Sequence, residues 1–184
     1  AQRTKHPDKH PPSPDQLMEI LESQLPLYLQ MIDTTSAGPA DPEALKIFAA
    51  LNSLGVIAVR PILLAVAKVP DSLEGMRYIL RLVVRRIVVG NLGTGNVERR
   101  LSEAARRVSE SGHWESLIED LRDLNPTKQE CVEQLRKRSF NKGVLAFLRR
   151  SIVSQTIAPE AIGVLHLIWT RQSEWESMSE EDGS

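Results

Sequence analysis

Cysteine is almost missing from this chain of 184 residues: Cys131 is the only one. A lone cysteine excludes an internal disulfide and a Cys-x-x-Cys zinc site. It fits a reducing cytosol, and a cytoplasmic location is expected. Aromatic residues are scarce too, at 4%. Trp114, Trp169 and Trp175, with two Tyr and three Phe, are too few for a platform that stacks single-stranded bases. No apolar run reaches the roughly 18 residues of a membrane span, so no membrane partner is expected. The opening, Ala1-Gln2-Arg3-Thr4-Lys5, lacks the apolar core of a signal peptide, and the missing initial Met suggests a cut fragment. Charge of one sign is not in excess either. Lys plus Arg number 23 and Asp plus Glu 24, a net charge of −1, so any case for nucleic acid rests on local charge.

Patterns of catalysis are missing as well. There is no Gly-x-Ser-x-Gly elbow for a serine nucleophile. No Asp/Glu-x-Lys triplet of a two-metal nuclease occurs. His6 and His10 have the spacing of helical metal ligands, but Pro7 and Pro11 deny them a helix, so no metal site is expected. His113 reads as a polar residue at a helix start. Cys131 has no histidine nearby in sequence and reads as a small buried helix residue.

What is present is a globular composition, 41% apolar and 26% charged, on a chain long enough to bury a core. Residues 1–14 form a basic, proline-rich tail in which four prolines preclude helix. From Asp15, a plausible N-cap, Leu17, Ile20, Leu21, Leu25 and Leu29 recur at helical spacing, with Pro26 expected to kink or split the helix. Asp41-Pro42-Glu43 opens another helix, which buries Leu45, Phe48, Ala49 and Leu51 and ends at Gly55. Further helices are expected over about 59–69, 73–89, 96–111, 114–124, 128–137 and 141–152. The stretch 159–169 is ambiguous between helix and strand, and residues after Arg171 form an acidic end in which Trp175 suggests a contact. No stretch alternates like a strand. The expected fold is all-α, one bundle-like domain of about seven to nine helices over 15–158.

The strongest local signal is basic. Arg77, Arg81, Arg85, Arg86, Arg99, Arg100, Arg106 and Arg107 lie within one span that holds only two acids, Glu98 and Glu103. Arg77, Arg81 and Arg85 stack along one helix face, where like charges repel by roughly 0.2–0.5 kcal/mol per pair. Solvent, acids such as Glu115, Glu119 and Asp120, or DNA phosphates must offset this. Arginine suits phosphate because its planar fork donates two parallel hydrogen bonds. These eight are the candidate nucleic-acid contacts. Gly90-Asn91-Leu92-Gly93-Thr94-Gly95-Asn96 has the look of a phosphate loop, but it lacks the Gly-Lys-Ser/Thr ending and follows a helix. The simpler reading is a C-cap at Gly90 and an N-cap at Asn96.

Leu51-Asn52-Ser53-Leu54-Gly55-Val56, Arg60-Pro61-Ile62-Leu63-Leu64-Ala65 and Val84-Arg85-Arg86-Ile87-Val88-Val89-Gly90 resemble segments of the GmrSD-like restriction proteins. Phe140-Asn141-Lys142 is similar to the start of a later family helix, and Val164-Leu165-His166-Leu167-Ile168-Trp169 to the opening of the family's nuclease. The resemblance covers roughly residues 45–178. It implies a ParB-like nucleotide-binding domain before the helical region and a His-Asn-His-type nuclease after it, in proteins that restrict foreign DNA, with SspE-type relatives. This chain is similar to the helical region alone, with 159–184 a remnant of the nuclease opening. The family's Glu-His-Ile-x-Pro-Gln is degraded to Leu165-His166-Leu167, leaving His166 as the one candidate for a catalytic base, without the metal site it needs. On this resemblance the chain is a non-catalytic DNA-contacting or relay module of an antiviral defence endonuclease. It holds no cofactor itself, and its partners are DNA, flanking domains or another copy. The alternative is a structural or oligomerisation domain without DNA affinity, its arginines paired with acids.

Overall fold

Ser13 sets the first helix. Its hydroxyl accepts from the backbone N–H of Gln16, and the Gln16 side chain accepts from the Ser13 N–H, a reciprocal cap. The structure, a computed structural model, describes residues 13–90, 95–137, 139–140 and 142–153. Among these residues there are eight α-helices and no strand: α1 (Pro14–Ile32), α2 (Pro42–Ser53), α3 (Arg60–Val66), α4 (Ser72–Val89), α5 (Gly95–Ser111), α6 (Ser116–Asp120), α7 (Lys128–Lys137) and α8 (Lys142–Val153), with a 3-10 turn at Arg122–Leu124. The all-α expectation and its range of seven to nine helices match this architecture.

Several local expectations change. The cap of α1 is Ser13 rather than Asp15, because Ser13 has the extended backbone a cap needs. Thus Ser13 and Pro14, read as tail, belong to the helix start. Pro26 does not split α1, which runs on to Ile32. The third helix is shorter than its apolar run, and Trp114–Leu124 divides into α6 and the 3-10 turn. Asn96 lies inside α5 rather than capping it. The C-cap at Gly90 is observed: its φ of 85° is left-handed, and its N–H reaches the Arg86 and Ile87 carbonyls. Asp41 caps α2 as expected, accepting from the Glu43 N–H at 2.7 Å.

The main core gathers Phe48 from α2, Ile62 and Leu63 from α3, Ile79 from α4, Val108 from α5 and Leu117 from α6. Helix α3 buries Ile62, Leu63, Ala65 and Val66 and packs chiefly on α5. Gly75 lets α3 and Trp114 approach α4 closely, since a Cβ there would lie 2.7 Å from Val66 and 2.9 Å from Trp114. A smaller cluster joins Val88 at the end of α4 with Cys131 and Leu135 of α7 and Phe147 and Leu148 of α8, and Ala50 and Leu54 lean on it from α2.

Helix α1 is different. Only its last third docks, through Leu27, Gln30 and Met31. The buried Gln30 side chain accepts from the Ala40 N–H at 2.8 Å and donates to the Ser36 carbonyl at 3.2 Å, which fastens the loop between α1 and α2. Asn52 donates to the Ile32 carbonyl, and Arg60 lies 5.8 Å over the Tyr28 ring. The leucine stripe faces solvent: Leu17, Ile20, Leu21, Leu25, Leu29 and Ile32 are each 43% to 54% exposed.

Candidate functional site

The eight candidate arginines sit on α4 and α5, and the structure sends them in two directions. Four converge on one short segment, 120–125. Arg86 is 9% exposed and donates to the Leu124 carbonyl at 2.8 Å. Arg85 donates to the Asn125 side chain at 3.2 Å. Arg100 donates both to the Asp120 carbonyl and to the Asp123 carboxylate, each at 2.7 Å. Arg107 pairs with the other end of Asp120, its carboxylate, at 2.8 Å. The physical need is plain. Helix α6 and the 3-10 turn are too short to satisfy their own last carbonyls, and a guanidinium nearby supplies the missing donors.

The remaining four lie outside this clamp. Arg77 pairs with Glu74 at 2.5 Å and stands 3.9 Å from Glu43. Arg99 lies 3.9 Å from Glu103, and Arg106 lies 3.3 Å from Glu110. These pairs are exposed, within or beside the same helix, and each contributes little. Arg81 is half-buried and makes no ion pair or hydrogen bond among the described residues. It lies close enough to Tyr78 to act on its phenol.

Tyr78 ties the two groups together. Its hydroxyl donates to the Leu117 carbonyl at 3.4 Å, and its ring tilts against Trp114 with centroids 6.3 Å apart. Burial pushes the phenol pKa up, while the Asn125 side chain and the charges of Arg85 and Arg81 oppose the shift. Burial lowers the Arg86 pKa, opposed by Asp123, yet a guanidinium stays charged at any working pH. Beside Arg86 is a cavity of about 50 Å³, lined by Val59, Leu82, Val83, Val97 and Leu101 among others. Its walls are apolar, and its volume is far below the roughly 300 Å³ of a small-molecule site.

Other candidates are placed as follows. Of the acids expected to pair with the arginines, Asp120 does so, Glu119 pairs instead with Arg122, and Glu115 pairs with none of the eight. Cys131 is buried, and burial raises its thiol pKa, as for a small buried helix residue. His113 is exposed in the turn before α6. His6, His10, His166, Trp169 and Trp175, the stretch 159–184 and most of the glycine loop lie outside the described residues. Among the described residues no three His, Cys, Asp or Glu side chains group as metal ligands, and no helix is long and apolar enough to cross a membrane. Sequence reasoning named Asp120 as a pairing acid but missed the rest of the clamped segment 120–125. Its acids Asp120 and Asp123, ahead of Asn125-Pro126, were the available signal.

No protein-family model matches the chain, and neither a curated protein nor a solved structure matches it significantly. The resemblance to GmrSD-like restriction proteins therefore rests on the quoted residues alone.

Proposed function

We propose that this chain is a non-catalytic helical scaffold, an assembly module whose arginines hold the fold together. The observation that carries this reading is the clamp. Arg85, Arg86, Arg100 and Arg107 spend their donors on the chain's own carbonyls, amide and carboxylates around 120–125. A guanidinium anchored in this way is held toward the protein and is not free to swing out to a phosphate. The test is fluorescence anisotropy with duplex DNA across a salt series. The expected result is no specific, steeply salt-dependent binding. An affinity that falls with salt as though roughly 3–6 phosphates were contacted would overturn the reading.

A second reading has its own observation. Arg81 has no acceptor among the described residues, and Arg77, Arg99 and Arg106 are held by exposed carboxylates and, for Arg99, the exposed Asn96 side chain, which a phosphate could displace. These four support a DNA-contacting or relay role in a restriction protein of antiviral defence, as the resemblance implies. On this reading Arg77→Ala, Arg81→Ala, Arg99→Ala and Arg106→Ala together weaken DNA binding and flatten its salt dependence. Unchanged binding in that fourfold variant removes these arginines from any such role.

A further inference from the structure

The first two thirds of α1 present a physical problem. Residues 14–25 form three turns of helix with almost no tertiary support, yet they carry a complete reciprocal cap and a leucine stripe. A helix this short is marginal in water unless its apolar face is packed. The stripe is contiguous. At about 100° per residue, Leu17, Ile20, Leu21, Leu25, Leu29 and Ile32 fall on one half of the helix surface, an edge of which is docked at Met31, with Gln30 on the opposite half.

We propose that a second copy of this chain covers that face, with the two α1 helices packed antiparallel about a two-fold axis near Leu25. The proposal rests on the reading of the chain as an assembly module and names its surface and partner. Three observations select this occupant. The first is area. Seven half-exposed large side chains, Met18 included, leave on the order of 600 Å² per copy, or roughly 1,200 Å² for the pair, the lower bound of a specific interface. The second is charge. Helix α1 has three carboxylates, Asp15, Glu19 and Glu22, all in its first half, and no cation. Parallel packing would set these acids against their own copies, whereas antiparallel packing sets them against an uncharged second half. Asp33, the next acid in sequence, is engaged by the N–H and hydroxyl of Thr35. The third is self-complementarity: the stripe is apolar along its whole length, as a two-fold interface requires of both partners.

The experiment uses the full chain. Light scattering behind size exclusion should give about twice 20.6 kDa at micromolar concentration and approach 20.6 kDa on dilution. Leu21→Glu with Leu25→Glu should hold the mass at one chain over the same range, with the helical circular dichroism kept, since both side chains already face solvent. Orientation is read by oxidation of single-cysteine variants. Leu25→Cys should form a disulfide with its own copy. Leu17→Cys should not, because antiparallel packing holds its two copies roughly 24 Å apart along the axis, beyond disulfide reach. Cys131 is buried and serves as the silent background. A single-chain mass at all concentrations overturns the proposal, including the case in which residues of the same chain protect α1. Equal cross-linking at both positions overturns the antiparallel arrangement. A monomer that also ignores DNA removes only the α1 pairing and leaves the scaffold reading in place. Salt-sensitive DNA binding removes the scaffold reading, whatever the mass.

Discussion

Helix α1 and the α4–α5 pair reverse the usual placement of residue types. In α1 the large apolar side chains stand half in solvent, and the buried positions include a glutamine. In α4 and α5 four arginines turn toward the protein and end on backbone carbonyls, an amide and carboxylates. Periodicity identifies a distinctive face in each region, but not whether that face has a partner within the chain. Apolar area is covered only if another element is within reach. A cation is drawn inward when a short helix leaves acceptors that nothing else satisfies.

The sharpest way to strain the comparison is to remove apolar bulk from the core itself. Phe48 is 1% exposed between α2 and its neighbours. Phe48→Ala should cost about 3–5 kcal/mol, measured by chemical denaturation, because it leaves a cavity as well as losing burial. A cost below about 1 kcal/mol would show that the main cluster is not the stabilising centre.

The clamp comes next. Arg86→Met keeps an apolar stem against Leu82 and Val83 but leaves the Leu124 carbonyl without this donor. A buried acceptor that loses its partner costs about 1–3 kcal/mol, so Arg86→Met should destabilise by that amount in the same assay. Arg106→Met removes only an exposed pair with Glu110 and should cost less than about 0.5 kcal/mol. Equal effects at the two positions would erase the distinction between clamping and surface arginines.

Much of the fold was legible because its signals are local. Asp41-Pro42, the Gly90 stop and the apolar spacing of α4 depend on residues within one turn of one another, and each appears where expected. The differences arise where a longer-range effect decides. Pro26 removes one hydrogen bond, but the docked end of α1, held by Gln30 and Met31, carries the helix through it. The segment 114–124 reads as one helix from its apolar positions. It breaks at Leu121, and Arg100 and Arg107 take up the Asp120 carbonyl and carboxylate at that break. The arginine set was visible as a set. Its division into clamp and surface was not, because the acceptors lie about 13 to 40 residues away in sequence and include backbone atoms, which no residue pattern encodes.

A smaller effect tests a local signal far from either region. Thr127 and Glu130 form the cap of α7: the Thr127 N–H and hydroxyl donate to the Glu130 carboxylate, and the Glu130 N–H donates back to the Thr127 hydroxyl. Thr127→Ala should cost about 1 kcal/mol at neutral pH. Hydrogen bonds from the Thr127 N–H and, beside it, the Thr127 hydroxyl hold the Glu130 pKa below its ordinary value of 4.5, and Thr127→Ala keeps the first but removes the second. A carboxylate with a lowered folded-state pKa stabilises above its unfolded value and loses that contribution as pH falls through the folded one. The difference between wild type and Thr127→Ala should therefore be full at pH 7 and shrink below about pH 4.5. A difference that stays constant into acid would show that Glu130 takes no part.

The smallest expected effect bears most directly on α1. Leu21→Ala removes apolar bulk from a side chain that is already 54% exposed. At a dilution where the chain is a single copy, its stability should change by less than about 0.5 kcal/mol, the range of an ordinary surface substitution. At high concentration the same substitution should cost more, because folding is then linked to pairing and the melting temperature depends on protein concentration. Core substitutions such as Phe48→Ala should instead destabilise at every concentration. Thermal melts of wild type and Leu21→Ala over a hundredfold range of concentration separate the two cases. A melting temperature independent of concentration in both proteins leaves α1 a bare surface helix, and the contrast with α4–α5 becomes one of exposure alone.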